Sequence, residues 1–218
     1  MARSETGSRP LFPLYAILDA EAASQAGWTL IDLASACLAG GARFLQLRAK
    51  GASGAWLLET AIAIREMARE AGALLIVNDR ADIARLSGAD GVHLGQDDVT
   101  PGAARALVGG DAMVGLSTHT RGQLTGAVAL TGLTYVACGP VFDTTTKTTG
   151  YERGGLDLVR RAAAATRARA LPLVAIGGIT LDTAAQVVEA GAASVAVIGD
   201  LLSTGDPEAR VRDYLRRV

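Results

Sequence analysis

The sequence predicts an α/β protein built as a single (β/α)8 barrel, the TIM-barrel architecture, and three observations carry that expectation. Short β-rich apolar runs occur eight times along the chain. Ala/Leu/Arg-rich stretches with helical periodicity lie between them. Glycine stands close behind several of these stretches, as at Gly40-Gly41, Gly72 and Gly191, where it can end a helix. Strands that alternate with helices pair in parallel through right-handed crossovers. Eight such units close into a barrel, and an open doubly wound sheet is the main rival. No Pro/Ser-rich linker divides the chain, so residues 13–218 are expected as one barrel behind a loose tail over 1–12.

The elements follow in order, each strand a short apolar run bounded by polar or glycine residues. Leu14 to Leu18 opens the barrel. Phe44 to Arg48 comes second and runs on into Ala49-Lys50. The clearest helix spans Trp56 to Ala71, where Leu57, Leu58, Ala61, Ile64, Ala68 and Ala71 recur at helical spacing. Leu74 to Val77 leads into Asn78-Asp79, and Gly91 to Leu94 into Gly95-Gln96-Asp97-Asp98. Met113 to Leu116 leads into Ser117-Thr118-His119, and Thr134 to Ala137 into the segment Gly139 to Lys147. Leu173 to Ile176 ends in Gly177-Gly178, and Ser194 to Ile198 in Gly199-Asp200. Polar groups thus collect at the C-terminal strand ends, the rim where barrel active sites lie.

Composition narrows the function classes. The 218 residues carry 21 Lys+Arg against 22 Asp+Glu, a formal net charge of −1, so no global field draws the chain to nucleic acid or anionic lipid. A 50% hydrophobic and 20% charged chain has a globular balance. The 26 glycines are spread out, which excludes collagen-like and low-complexity readings. Cys37 and Cys138 sit in apolar surroundings and read as small buried hydrophobes, with neither metal-pair spacing nor a disulfide framework. The polar start has no signal-peptide core, and no apolar run reaches transmembrane length. The expectation is a soluble, cytoplasmic protein whose partners are small molecules, with no nucleic acid and no membrane; a homo-oligomer is left open.

The rim residues suggest chemistry. Gln46, Arg48 and Lys50 alternate, so a continued strand would turn an amide and two cations toward one space. Guanidinium and ammonium suit phosphate or diphosphate; solvated charges at a strand end are the plainer reading. Asp79 and Asp98 end consecutive strands, about 4.8 Å apart in a parallel sheet. Two carboxylates there could meet one Mg²⁺, which takes one or two carboxylates plus substrate phosphates and waters. Helix capping by Asp79 is the alternative, and the residues alone do not say whether Asp97 or Asp98 points inward. The Thr144-Thr145-Thr146-Lys147-Thr148-Thr149-Gly150 run offers donors on a loop that Gly150, Gly154 and Gly155 make flexible, as in a lid. Gly177-Gly178 and Gly199 occupy the loops after strands seven and eight, where barrels bind phosphate through backbone N–H groups. They imply a second anion site. His93 reads as a hydrogen-bonded barrel histidine, and His119 as acting on substrate or capping a helix. Arg210, Arg212, Arg216 and Arg217 read as a solvated helix face.

Together, Gln46 to Lys50, Val77-Asn78-Asp79, Gly91 to Asp98, Gly115 to Thr120, Gly139 to Lys147 and Ile176 to Ile179 resemble the thiamine phosphate synthase family over nearly the whole chain. The resemblance implies an alkyl transferase that joins a hydroxymethylpyrimidine diphosphate to a thiazole phosphate and releases pyrophosphate. It implies Gln46 on the pyrimidine and Arg48, Lys50, Asn78 and Lys147 on the diphosphate. It places Asp79 and Asp98 on Mg²⁺, which settles the Asp97/Asp98 choice, and Ser117 by the pyrimidine and the departing oxygen. Thr144, Thr145, Thr146, Gly178, Ile198 and Gly199 would hold the thiazole phosphate. Catalysis would fall to Ser117, Lys147, Arg48 and Lys50, through a dissociative mechanism in which the C–O bond breaks first. The chain departs from the family where Gly199 replaces a common Ser and Thr148-Thr149 replace a common Lys-Asp. A thiazole tautomerase of the same superfamily and a non-catalytic thiazole phosphate sensor are the rivals. Both leave the diphosphate-side residues idle.

Overall fold

Side-chain alternation along each strand sorts this chain between two cores. The computed structural model describes residues 11–144 and 150–218. Its strands are β1 Leu14–Asp19, β2 Phe44–Arg48, β3 Leu74–Asn78, β4 Gly91–Leu94, β5 Met113–Thr118, β6 Tyr135–Cys138, β7 Leu173–Ile176 and β8 Ser194–Val197. All pair in parallel in chain order, and β8 closes on β1. The helices are α1 Ala20–Gln25, α2 Leu30–Ala39, α3 Gly54–Glu70, α4 Ala81–Ser87, α5 Pro101–Val108, α6 Arg121–Ala129, α7 Gly155–Arg167, α8 Leu181–Glu189 and α9 Pro207–Arg217, with a 3-10 turn at Gly199–Leu201.

Odd and even strand positions face opposite ways. Leu14, Ala16, Leu18, Leu45, Leu47, Leu75 and Val77 face outward and pack under the helices. Tyr15, Ile17, Phe44, Ile76, Met113, Tyr135, Val174 and Ala196 face inward and fill the barrel. The interior is aromatic at its base: Tyr15 stacks on Phe44 at 3.8 Å, and Tyr135 meets both rings edge-on at 6.0 Å. Gly115 stands beside Tyr135 in the sheet register, and a Cβ there would lie 2.1 Å from the Tyr135 ring. A glycine at that position is what lets the ring occupy the barrel.

Helix starts follow local chemistry. The side chains of Thr29, Ser53, Thr100 and Thr120 accept the first free amides of α2, α3, α5 and α6. Ser53 is the reason α3 begins before Trp56. Cys37 and Cys138 are buried, and burial pushes both thiols up to about 12. At the end of the expected tail, Leu11 and Phe12 pack against the interior cluster. Among the described residues, no helix is long and apolar enough to cross a membrane.

Two expectations are corrected. Arg210 is not solvated. Its guanidinium grips the Asp200 carboxylate at 2.8 Å, joined by the Tyr214 hydroxyl at 2.5 Å, and so clamps α9 to the end of β8. Gly154 and Gly155 are not free hinges either. Their amides donate to the Pro140 and Val141 carbonyls at 2.9 and 2.8 Å, which seats the start of α7 on the β6 loop.

Candidate active site

Among the described residues, the expected site residues line adjoining cavities at the rim, of which three share Ser117. The first, of about 230 Å³, is lined by Arg48, Lys50, Asn78, Asp79, Asp98 and Ser117, together with His93, the Gly95–Asp97 turn, His119 and Tyr151. Strand β2 ends with Arg48 pointing inward beside Asp19 of β1, and the two form an ion pair. Asp19 also accepts the Ala22 amide at 2.9 Å and so caps α1. Its carboxylate is thereby fixed before it meets Arg48.

Asp79 is not a helix cap. The cap position of α4 is Arg80, without a side-chain cap bond, and Asp79 itself sits at φ +63. That left-handed turn, uncommon outside glycine though tolerated by Asp, is held by its amide donating to the His93 carbonyl at 2.8 Å. It leaves the carboxylate 3.5 Å from the Lys50 ammonium and beside Asp98. Burial and then the Asp98 carboxylate push the Asp79 carboxyl above its ordinary range, with Lys50 opposing them. Asp98 in turn accepts the Gly95 backbone amide at 2.7 Å, and Gln96 Nε2 donates to the Ser117 carbonyl at 2.6 Å. Among the described residues, no three His, Cys, Asp or Glu side chains gather as a complete metal cage.

Below lies a cavity of about 30 Å³ walled by Tyr15, Gln46, Arg48, Asn78, His93 and Ser117, with aliphatic side chains from the other strands. Gln46 donates to the Tyr15 hydroxyl at 2.8 Å, and the Tyr15 and Tyr135 hydroxyls lie 3.0 Å apart. The Tyr135 hydroxyl is 3.0 Å from His93 Nδ1, and His93 Nε2 is 2.8 Å from Ser117 Oγ. Burial pushes both phenols well above their ordinary range, so both stay protonated.

The third cavity, about 280 Å³, spreads over the ends of β6, β7 and β8. Ser117, His119, Gly139, Pro140, Asp143, Thr144, the Ile176–Thr180 turn and the Ile198–Asp200 turn line it. Gly177 and Gly178 have φ values of +102 and +63. A Cβ on Gly178 would lie 2.2 Å from the Asp143 carbonyl, and one on Gly177 2.7 Å from Pro140 Cα. These glycines therefore admit the neighbouring β6 loop, whose Phe142 amide donates to the Gly177 carbonyl at 2.9 Å. The α8 N-terminus already carries an internal anion, since the Leu181 amide donates to Asp200 at 3.0 Å. His119 does not cap α6, a task taken by Thr120. Its Nδ1 lies 2.7 Å from the Gly139 carbonyl, and its ring stacks on Tyr151 at 4.4 Å.

The expected site residues thus meet around one centre. Gln46, Arg48, Lys50, Asn78, Asp79 and Asp98 lie on one side, and Thr144, Gly178, Ile198 and Gly199 on the other. Ser117 borders all three cavities. Thr145, Thr146 and Lys147, with Thr148 and Thr149, lie outside the described residues. Sequence reasoning passed over Asp19, Tyr15, Tyr135 and Tyr151. Asp19 had a signal, being a carboxylate at the end of β1 like the other rim residues. The two interior tyrosines had none beyond being strand residues.

The chain is similar to known proteins over most of its length. The model for thiamine monophosphate synthase matches residues 14–201. A thiamine-phosphate synthase of Methanoculleus marisnigri is 45% identical over 194 residues, 88% of this chain and 89% of that protein. A thiamine biosynthesis bifunctional protein ThiM/ThiE of Symbiobacterium thermophilum is 44% identical over 192 residues, 88% of this chain, which spans 39% of the larger protein. A solved structure of thiamine phosphate pyrophosphorylase from Pyrococcus furiosus superposes with a TM-score of 0.83 at 28% identity, covering 94% of each chain.

Proposed function

The chain belongs to the thiamine monophosphate synthase family, and from that premise we propose how its cavities divide the work of making thiamine phosphate. It is a thiamine-phosphate synthase, a transferase of thiamine biosynthesis. The observation that carries the division of labour is the meeting of a cation-and-carboxylate cavity with a glycine-lined cavity at Ser117.

In this reading, Arg48, Lys50 and Asn78 hold the diphosphate of the pyrimidine substrate, with Gln46 and Ser117 beneath the ring. Lys147 joins them by resemblance. The two crowded carboxylates fit a hard cation: both offer oxygen, and positive charge offsets the burial and the Asp98 carboxylate that together push Asp79 up. Asp79 and Asp98 would hold Mg²⁺, which when bound supplies charge to neutralise the departing diphosphate. Thr144, Gly178, Ile198 and Gly199 hold the thiazole phosphate across Ser117, with Thr145 and Thr146 beside them by resemblance. Beside Ser117, the border between the small interior cavity and the glycine-lined one is an apolar wall, formed by Ile176, Ala196 and Ile198. Such a wall keeps water from a carbocation after the C–O bond breaks, until the thiazole nitrogen captures it. Leaving-group cations, rather than a side-chain nucleophile, carry this chemistry.

Titration calorimetry with hydroxymethylpyrimidine diphosphate tests the reading. Binding should require Mg²⁺, and Asp79→Ala and Asp98→Ala should each abolish that requirement along with most of the affinity. Binding by both variants with the parent's affinity and the parent's Mg²⁺ dependence would remove the carboxylates from the site.

A further inference from the structure

A hydrogen-bonded chain crosses the barrel interior from Gln46 through Tyr15, Tyr135 and His93 to Ser117. Hydroxyls and imidazole nitrogens can each donate or accept, so most links could run either way. The first cannot. An amide nitrogen only donates, so the Tyr15 oxygen accepts from Gln46. Tyr15 is 1% exposed, and its own proton finds the Tyr135 oxygen as acceptor at 3.0 Å. Tyr135 then has one proton to give, and His93 Nδ1 stands 3.0 Å away to take it. A neutral imidazole that accepts at Nδ1 carries its hydrogen on Nε2. That hydrogen points at Ser117 Oγ, 2.8 Å away. The reverse polarity would strand the proton of the buried Tyr15 hydroxyl between two donors, which buried polar groups rarely tolerate. Only turning the Gln46 amide over would reverse every link at once.

We infer that this chain fixes His93 as its Nε2–H tautomer and so makes Ser117 a hydrogen-bond donor into the cavities above it, with Tyr15, Tyr135 and His93 as positioning residues. The tautomer is set by partners on β1 and β6, and the rings of the chain are packed against one another. His93 stacks on Tyr135 at 5.6 Å, and Gly115 leaves Tyr135 just the room it fills. The consequence rests on the functional reading above. Once Ser117 Oγ accepts from His93, its own proton is free for the oxygen that gains negative charge as diphosphate departs. A Ser117 that donated to His93 would offer that oxygen only lone pairs.

Nitrogen-15 NMR of the ligand-free, histidine-labelled protein reads the tautomer directly. The sequence has two histidines, so His119→Asn assigns the spectrum. The expected result is Nδ1 unprotonated and Nε2 protonated at His93. In Tyr135→Phe the single tautomer should give way to a mixture, and kcat should fall roughly five- to ten-fold, one hydrogen bond's share of the barrier, with KM for both substrates unchanged. Tyr15→Phe, which leaves Tyr135 in place, should act in the same direction and carries the test if Tyr135→Phe does not fold. An Nδ1–H tautomer in the unaltered protein overturns the inference. So does a phenylalanine variant with an unchanged tautomer and unchanged kcat. Because the spectrum needs no substrate, a correct tautomer in a protein without synthase turnover would sink the functional reading alone.

Discussion

Replacing Asp19 by Asn and by Ala separates two roles of one carboxylate. Asp19 pairs with Arg48 and caps α1 through the Ala22 amide at 2.9 Å. Asn caps a helix as well as Asp does, so Asp19→Asn removes the ion pair alone. The pair is well shielded, with 4% of the Asp19 side chain and 13% of the Arg48 side chain exposed. Breaking a fully buried pair costs about 3–5 kcal/mol, and breaking an exposed one about 0.2–1 kcal/mol. Arg48 borders two cavities and reaches solvent, which places Asp19→Asn between these limits, at about 1–3 kcal/mol. Asp19→Ala loses the cap as well, about 1 kcal/mol more. At about 2–4 °C per kcal/mol for a chain of this size, the Tm should drop by about 2–12 °C for Asn and by a further ~2–4 °C for Ala. Thermal unfolding followed by circular dichroism measures both. KM for the pyrimidine diphosphate should rise in both variants, since Arg48 loses the group that aims it. An Asn variant as stable as the parent, with unchanged KM, would refute the claim that Asp19 positions Arg48. Equal Tm for Asn and Ala would refute the cap.

Two further outcomes follow from the other side of the barrel. Gly178→Ala puts a Cβ 2.2 Å from the Asp143 carbonyl at a φ of +63. It should lower stability by about 1–3 kcal/mol and weaken thiazole phosphate binding, both read by thermal unfolding and calorimetry. At Asp200, burial raises the carboxyl, but Arg210, Tyr214 and the Leu181 amide outweigh it and hold the group below its ordinary range. A carboxyl depressed in the folded state contributes stability above its unfolded value of about 3.9 and loses it as pH falls through the folded value. Asp200→Asn should therefore be less stable at neutral pH and show a flatter loss of stability below about pH 4; a parallel acid curve would show that Asp200 is not the group responsible.

Much of the site was legible because barrel geometry is periodic. Once the eight runs are accepted as parallel strands, the rim is named by the residues that end them, and Gln46, Asp79, Asp98 and Gly178 come out together. The side Gln46 faces also follows, since strand alternation is local, whereas Asp98 lies beyond β4 and its direction was left open by the residues alone. The partners did not follow. Helix capping stood as the alternative for Asp79 because Asp before a helix often is a cap, and a single left-handed residue removed it from that place. Arg210 looked solvated on an arginine-rich helix until α9 docked against Asp200. Gly177 and Gly178 looked like an opening for a ligand, whereas the structure also uses them to admit the Phe142–Asp143 backbone.

What the chain determines by itself is whatever depends on neighbours a few residues apart: strand period, helix caps, the eightfold alternation and the identity of the rim. What tertiary structure decides is which of those groups touch. Tyr15 and Tyr135 are 120 residues apart, and Gln46 and Tyr15 are 31 apart. The second pair meets because β1 and β2 are neighbours in the sheet, and the first because β8 closes on β1 and brings inward side chains of distant strands to a common axis. Closure depends on register summed around all eight strands, and no local pattern encodes that sum. The hydrogen-bond polarity that aims Ser117 belongs to this second kind, as does the ion pair that aims Arg48. Residue types at the rim state what chemistry is on offer, and long-range packing decides which way each group points when it is used.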